Sequence, residues 1–109
     1  MKAVYCLNSY SITDLLSFLV AERGESIRFA VGYQRTLRTK GQEFEVEGPV
    51  VGEETMEELL RTVASTRQMR DFRQRGMIDI VHSFKDSQFL VRAIRAFGDF
   101  RFELHALGA

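Results

Sequence analysis

The stretch that decides the fold lies at residues 88–97 and reads QFLVRAIRAF. Its apolar residues fall at both odd and even positions and are interrupted only by Arg92 and Arg95. Strands with one solvated face alternate apolar with polar residues, so this pattern is typical of a strand that is covered on both faces. We therefore expect residues 88–97 to form the central strand of a sheet.

Two similar runs flank this strand, at residues 77–84 and 100–107. Short turn signals at residues 85–87 and 98–99 separate the three runs. This spacing is typical of consecutive β-hairpins. The sequence therefore predicts a three-stranded meander towards the C-terminal end of the chain.

Upstream of the meander, helical and strand periodicities follow one another. Apolar side chains at a spacing of about 3.6 residues predict helices, and a two-residue alternation predicts strands. Ser and Thr cap helix N-termini, and Gly favours the position after a helix. The predicted segments are a helix at 12–23 (capped by Ser11, ended by Gly24), strands at 27–31, 34–39 and 43–47, a helix from 55 to about 65 (with Thr55 and Glu58 as a capping box), and a helix at 66–75 (capped by Thr66, ended by Gly76).

The order of elements is one helix, three strands, two helices and three strands. Hairpin-linked strands with helices grouped between them indicate the α+β class, with a largely antiparallel sheet and the helices packed on it. The strand at 34–39 is polar enough to lie at an edge, and residues 2–8 read equally as a short edge strand or an ordered arm. The chain has 109 residues and no visible linker, so we expect one domain spanning residues 1–109.

The composition disfavours several kinds of partner and compartment. With 15 basic and 15 acidic residues the formal net charge is zero, so no overall charge attracts nucleic acid or an anionic membrane. A single cysteine, Cys6, excludes an internal disulfide and a cysteine-rich metal site. The sequence shows no secretory leader pattern and no apolar run of membrane-spanning length. We therefore expect a cytoplasmic chain with no nucleic-acid partner and no membrane insertion.

No residue pattern predicts catalysis. Neither a GxxxxGK(S/T) nor a GxGxxG loop is present to hold phosphate. His82 and His105 fall in predicted strands without a carboxylate or thiol at metal-ligand spacing, and no neighbour in sequence activates the Cys6 thiol. Asp79 lies between two isoleucines and is expected to cap or to pair with an arginine rather than to catalyse. We therefore predict no catalytic residues, no cofactor and no bound metal, and we predict that the chain is not an enzyme.

Charge is segregated along the chain. Residues 41–60 contain seven acidic residues and no basic one, whereas residues 61–75 contain five arginines and one aspartate. One interpretation is that two solvated faces offset each other within the domain. The other is a dipolar surface that contacts another subunit head to tail or docks a charged partner.

Short motifs occur along residues 12–97 in a fixed order. They are ITDLL at 12–16, GESIRF at 24–29, the set Gly32, Arg38 and Gly41, then Gln68 with Phe72, Gly76 with Asp79, and Phe89 with Val91. Their order and spacing resemble the N-terminal, PAS-like domain of the PilT-type pilus retraction motors, which belong to the type II/IV secretion ATPase superfamily. The corresponding family patterns are I-T-x-L-L, G-A-S-D-L-H-L, G-x5-R-x2-G, Q-R-x-x-F, G-x-x-D and R-F-R-V-N.

The resemblance implies a PAS-like α-βββ-αα-βββ fold. In the family, this domain packs against the ATPase core of a neighbouring subunit and lends basic residues near the nucleotide. The present chain departs from the family, because it has no Walker motif and the arginines of R-F-R-V-N fall on Gln88 and Leu90, with the asparagine on Arg92. The resemblance therefore implies an interaction domain without the ATPase core.

We predict a non-catalytic, regulatory protein–protein interaction module, which binds or modulates a pilus or secretion motor ATPase or self-assembles. Two alternatives stay open. One is a PAS-like sensor whose small apolar pocket is lined by residues such as Phe29, Phe89 and Phe102, and the other is a remnant of a motor ATPase whose catalytic domain is missing. The candidate partner-binding residues are Arg35, Arg38, Arg67, Arg70, Arg73 and Arg92.

Overall fold

The computed structural model describes the backbone of Tyr5–Cys6 and residues 11–32, 35–48 and 51–108. The side chain of Cys6 lies outside the described residues, so its predicted inertness stays a prediction. The elements, in chain order, are β1 (Tyr5–Cys6), α1 (Ile12–Ala21), β2 (Ser26–Ala30), β3 (Arg35–Thr39), β4 (Gln42–Glu47), α2 (Glu53–Val63), α3 (Thr66–Arg75), β5 (Met77–Phe84), β6 (Ser87–Ala96) and β7 (Asp99–Gly108).

The strands form one seven-stranded sheet in the order β1-β4-β3-β2-β7-β6-β5. Each neighbouring pair in this order is antiparallel except β1 with β4, which pair in parallel over two residues. From α1 onward the order is α-βββ-αα-βββ, so the predicted α+β class and the meander are confirmed. Within residues 2–8, for which an edge strand or an arm was predicted, Tyr5–Cys6 forms the short strand β1, and the remaining residues lie outside those that the structure describes.

The core lies between the helices and one face of the sheet, which we call the covered face. Phe72 of α3 packs against Phe100 of β7 with ring centroids 5.6 Å apart. On the sheet itself, Phe29 of β2 stacks on Phe102 of β7 at 5.3 Å. Buried residues of all three helices and of this face belong to one apolar cluster. The opposite face, which we call the open face, carries the alternate residues of each strand.

Strand β6 is interior, but it is not the central strand that its sequence predicts. It lies between β7 and β5, second from the end of the sheet. Its covered-face residues Phe89, Val91 and Ala93 are buried, whereas Leu90 and Ile94 on the open face are only half-buried. The apolar residues on its second face therefore form a partly solvated strip, and the expectation of coverage on both faces was wrong.

Strand β3 is not at an edge, contrary to the prediction for residues 34–39. It lies between β4 and β2. Its polar side chains are satisfied within the fold: Arg35 donates to the carbonyl oxygens of Val46 and Gly48 at 3.0 and 2.9 Å. The Thr39 hydroxyl donates to the carbonyl oxygen of Arg23 at 3.2 Å. Because these groups find partners inside the protein, the polarity of the strand did not indicate solvent exposure at an edge.

Two helix N-termini differ from the prediction. Helix α2 begins two residues before Thr55, with Gly52 as its N-cap, so Thr55 forms no capping box. Helix α3 is capped by Ser65 rather than Thr66. The Gln68 backbone N–H donates to the Ser65 hydroxyl at 3.1 Å, and the Gln68 side chain accepts from the Ser65 N–H at 2.8 Å. This exchange satisfies two N–H groups that the helix itself leaves unpaired.

The two helix-ending glycines act differently. Gly76 ends α3 in the left-handed conformation with φ of 76°, as predicted. After α1, however, the residue with positive φ is Arg23, at 50°. Gly24 is required for space, because an added Cβ would lie 2.6 Å from a side-chain carbon of Leu19 and 2.8 Å from one of Leu37.

Replacing Gly76 with alanine is expected to destabilise the fold more than replacing Gly98. The φ angles are 76° and 77°, so the backbone cost is about 1–2 kcal/mol in both. At Gly76 an added Cβ would also lie 2.5 Å from the Arg95 carbonyl oxygen, whereas at Gly98 it meets nothing within 4 Å. In urea unfolding, the free energy of unfolding of Gly76→Ala should be at least about 1 kcal/mol lower than that of Gly98→Ala. Equal losses of stability in the two variants would contradict the close approach of the α3–β5 turn to β6.

Candidate partner-binding surfaces

Three arginines form an outward stripe along α3. Arg67, Arg70 and Arg73 are spaced three residues apart and are therefore neighbours on the helix surface, while Met69 and Phe72 of the same helix are buried. All three arginines are exposed. Among the described residues, none of the three has a carboxylate within ion-pairing distance. This arginine stripe therefore presents three guanidinium groups that the domain does not neutralise.

The stability of the helix does not account for the whole stripe. Cations near a helix C-terminus gain about 0.3–1 kcal/mol from the helix dipole, which accounts for Arg73 and Arg75 in the last turn of α3. Arg67 is the second residue of the same helix, where the dipole disfavours a cation. Its position therefore opposes local stability and favours a role outside the helix.

The open face carries a row of charges of alternating sign across four strands. The register aligns Asp79 of β5, Arg92 of β6, Glu103 of β7 and Arg28 of β2. Arg92 donates to both carboxylate oxygens of Asp79, at 2.7 and 3.1 Å. This hydrogen bonding lowers the pKa of Asp79 and raises the pKa of Arg92. Opposite charges directly across a strand pair contribute about 0.2–1 kcal/mol each, so the row stabilises the sheet.

The six arginines predicted to bind a partner do not form one surface. Three make up the arginine stripe. Arg92 and Arg38 lie on the open face, but β2 and β7 separate their strands. Arg38 lies 3.7 Å from Glu25 and 3.9 Å from Glu43. Arg35 is half-buried and bonded to backbone carbonyls of β4 and the residue after it. The arginine stripe is therefore the part of the predicted set that is both clustered and unpaired.

Arg95 is a residue that sequence reasoning missed, and it ties α2 to the sheet. Its guanidinium group lies 2.9 Å from a carboxylate oxygen of Glu57 and 4.4 Å from the centre of the Phe100 ring. A cation over an aromatic ring contributes about 0.5–2 kcal/mol. The sequence did carry one indication of this placement. Arg95 lies two and four residues after Ala93 and Val91 in the same strand, so it shares their face, the covered face.

Phe97 is the second residue that sequence reasoning missed. It is fully exposed in the turn between β6 and β7, with φ of 53°. A bulky side chain rarely adopts this backbone conformation. Phe97 borders an open groove of about 950 Å³, whose lining includes Val31, Ile94 and Arg101. An exposed aromatic ring at such a turn is a candidate contact residue.

The residues considered for chemistry do not converge. His82 pairs with Phe89 on the covered face and His105 pairs with Leu90 on the open face, so the two imidazoles lie on opposite sides of the sheet. His105 Nε2 lies 2.7 Å from a carboxylate oxygen of Glu103. Within the part of the chain that the structure describes, no three metal-ligating side chains form a cluster, and no helix is long and apolar enough to cross a membrane.

The three phenylalanines proposed to line a ligand pocket are part of the packed core. Phe29, Phe89 and Phe102 are 3, 2 and 0% exposed. Phe29 stacks on Phe102, and Phe89 meets the Phe84 ring edge-on at 6.4 Å between centroids. Because all three side chains are buried in ring contacts of the core, they give the sensor alternative no support.

The fold is shared with two solved structures, one of a pilus retraction motor and one of an ATPase. The chain superimposes on the pilus retraction motor PilT, solved with bound ADP, with a TM-score of 0.76 and 17% sequence identity; the match covers 93% of this chain and 30% of PilT. It also superimposes on the Legionella pneumophila ATPase DotB, with a TM-score of 0.77 and 11% identity, covering 97% of this chain and 32% of DotB.

Both matches fall on the N-terminal domain region of the ATPase and not on its catalytic core. The chain therefore has the fold of a motor ATPase N-terminal domain and spans about a third of the length of these proteins. The resemblance drawn from the sequence motifs is confirmed at the level of the fold. No family model and no curated protein matches the sequence.

The Asp79–Arg92 pair is expected to make stability depend on pH. Because the folded-state pKa of Asp79 is lowered, its carboxylate stabilises the fold above the unfolded-state pKa of about 3.9. This contribution is lost as the pH falls through the lower folded-state pKa. Urea unfolding should therefore show wild type more stable than Asp79→Asn near neutral pH, with the difference shrinking as the pH falls below the unfolded-state pKa of about 3.9.

The size of this difference is limited by solvent. Both side chains are more than a third exposed, at 37 and 38%, so we expect at most about 1 kcal/mol at neutral pH. A difference between the two proteins that stays constant from acid to neutral pH would show that ionisation of Asp79 does not stabilise the fold.

Proposed function

We propose that this chain is a non-catalytic protein–protein interaction module that acts in the cytoplasm by binding and modulating a motor ATPase of the pilus and secretion type. The observation that carries the proposal is the fold. The chain superimposes over 93% and 97% of its length on the N-terminal domain region of two such ATPases. A domain of this fold, with no phosphate-binding loop in its sequence, supports a role in contacts between proteins rather than in nucleotide hydrolysis.

The arginine stripe is the surface that we assign to the ATPase. Guanidinium groups form paired hydrogen bonds with carboxylates, and they hold this geometry better than lysine does. Since the stripe has no carboxylate partners among the described residues, an acidic surface of the ATPase would complete it. Contacts at Arg92 or Arg38 would first have to break existing ion pairs, so they rank below the stripe.

Binding through the stripe is expected to weaken with salt. Exposed charges steer association mainly through the on-rate, and ions screen them over about 8 Å at physiological ionic strength. If the partner instead bound through apolar residues of the domain, its binding would be insensitive to salt.

Charge reversal of the stripe tests this assignment. The tagged chain is cross-linked in the cells that encode it, and the captured proteins are identified by mass spectrometry. Wild type should recover a motor ATPase of this superfamily, and the triple variant R67E/R70E/R73E should recover at least ten-fold less of it. The matched variant R67K/R70K/R73K keeps the charge but loses the paired hydrogen bonds, so its recovery should lie between that of the glutamate variant and that of wild type. All three positions are exposed, so circular dichroism should report an unchanged fold.

The possible outcomes separate the competing accounts. If wild type captures no ATPase of this kind, the proposed function is wrong. If the glutamate variant captures as much as wild type, the function stands but the stripe is not the docking surface. The remnant alternative instead requires the captured ATPase to lack an N-terminal domain of its own, because this chain would replace that domain.

A further inference from the structure

Strand β5 forms an edge of the sheet that the described residues leave unpaired. It is last in the strand order, and β6 is its only neighbour in the sheet that the structure describes. It is eight residues long, compared with about five or six for a typical strand. A long unpaired edge offers a row of free backbone N–H and C=O groups to another strand.

The outward-pointing backbone groups belong to the odd-numbered residues of β5. The Gly76 carbonyl oxygen accepts from the Arg95 N–H at 2.6 Å. Hydrogen bonding alternates along an antiparallel pair, so the even-numbered residues of β5 direct their backbone groups to β6. The residues that direct theirs to the free edge are Met77, Asp79, Val81 and Ser83.

The features that usually protect a sheet edge are missing from β5. Proteins protect exposed edges with lysine, proline, bulges or very short strands, whereas β5 reads MIDIVHSF. Its one acidic residue, Asp79, is neutralised by an arginine of β6. On the open face, Met77 and Val81 are 52 and 60% exposed and lie beside the half-buried Ile94 and Leu90. The edge is therefore both unpaired and flanked by an apolar strip.

We propose that β5 is the interface of a two-fold homodimer, in which β5 of one copy pairs antiparallel with β5 of a second copy and Val81 lies on the axis. The two sheets then join into one continuous sheet, with both open faces on the same side. The exposed apolar strips of the two copies become contiguous across the axis, and Val81 packs against its own counterpart. This interface uses no residue of the arginine stripe, so it goes beyond the proposed ATPase contact.

The register centred on Val81 is self-complementary. It pairs outward-pointing residues with each other, which an antiparallel ladder requires. Asp79 lies opposite the second copy's Ser83, whose hydroxyl donates to the carboxylate. Ile78 lies opposite the second copy's Phe84 on the covered face. No two like charges oppose one another along the pairing, so the contact carries no penalty of the kind that like charges impose across strands.

A second copy fits this edge better than a strand of another protein. With Asp79 already paired, the edge carries no charge that would select a partner of opposite sign. A two-fold interface places the same patch against itself, which suits an apolar strip, and homodimer interfaces are the more apolar class. The formal net charge of zero also means that two copies do not repel each other overall.

Sedimentation velocity on the purified full chain over a range of concentrations tests the dimer. Val81→Pro removes one outward-pointing N–H and leaves the β5–β6 ladder intact, and Val81→Lys places two lysines face to face on the axis. Both should raise the dimer dissociation constant at least ten-fold with an unchanged circular dichroism spectrum. Val20→Lys is the matched control, because Val20 is 45% exposed on α1, and it should dimerise like wild type.

Two results would overturn the homodimer. One is a wild-type chain that stays monomeric at every concentration up to about 1 mM, which is also the outcome if the edge takes a strand from another protein. The other is a Val81→Lys variant that dimerises as tightly as wild type. Neither result depends on ATPase capture, so failure of the dimer and failure of the proposed function are distinguishable.

Cysteine cross-linking tests the register. In a Cys6→Ser background, Val81→Cys should form an intermolecular disulfide on oxidation, because Cα atoms of a hydrogen-bonded antiparallel pair lie about 5.5 Å apart, within disulfide range. Ser83→Cys should not, because the two copies of residue 83 are offset by about 13 Å along the strands. Cross-linking of Ser83→Cys in preference to Val81→Cys would overturn the proposed pairing.

Discussion

The structure depends on the pairing of β2 with β7. The other antiparallel pairs join strands that are consecutive in the chain, whereas β2 pairs residues 26–30 with residues 101–105. At this seam Phe29 stacks on Phe102 at 5.3 Å, and Ile27 and Leu104 are fully buried. The seam joins the β2–β3–β4 hairpins to the C-terminal meander, and it closes one apolar core beneath the three helices. Contacts so distant in sequence carry a high loop-closure cost, so burial at the seam has to offset that cost.

This arrangement determines which surfaces the domain exposes. Because the helices pack on the covered face, the open face remains in solvent, and its cross-strand charges neutralise one another. The two surfaces that we assign to contacts, the arginine stripe of α3 and the free edge of β5, lie in consecutive segments of the chain. Gly76 links them through a tight turn against β6. One continuous segment of the chain, residues 66–84, therefore carries both proposed contacts.

Local features of this fold were predictable from the sequence, and long-range ones were not. The structure reproduces the predicted meander, the three helices, the Ser11 N-cap and the end of α3 at Gly76. These features depend on residues that are neighbours in the sequence. The prediction that β3 lies at an edge was wrong, because its polar side chains bond to backbone carbonyls that only the folded chain brings near. For the same reason, no sequence pattern indicated that Arg95 would meet Glu57. The arginine stripe followed from helical spacing alone, whereas the free edge of β5 required the strand order.

Residue-resolved amide hydrogen exchange of the purified chain tests most directly whether the β2–β7 seam holds the fold together. If it does, the amides of β2 and β7 exchange only through global unfolding, with the same free energy as the buried turns of α1. Protection of the meander that persists at denaturant concentrations where the β2 amides exchange freely would contradict this account, because the two halves would then be stable independently.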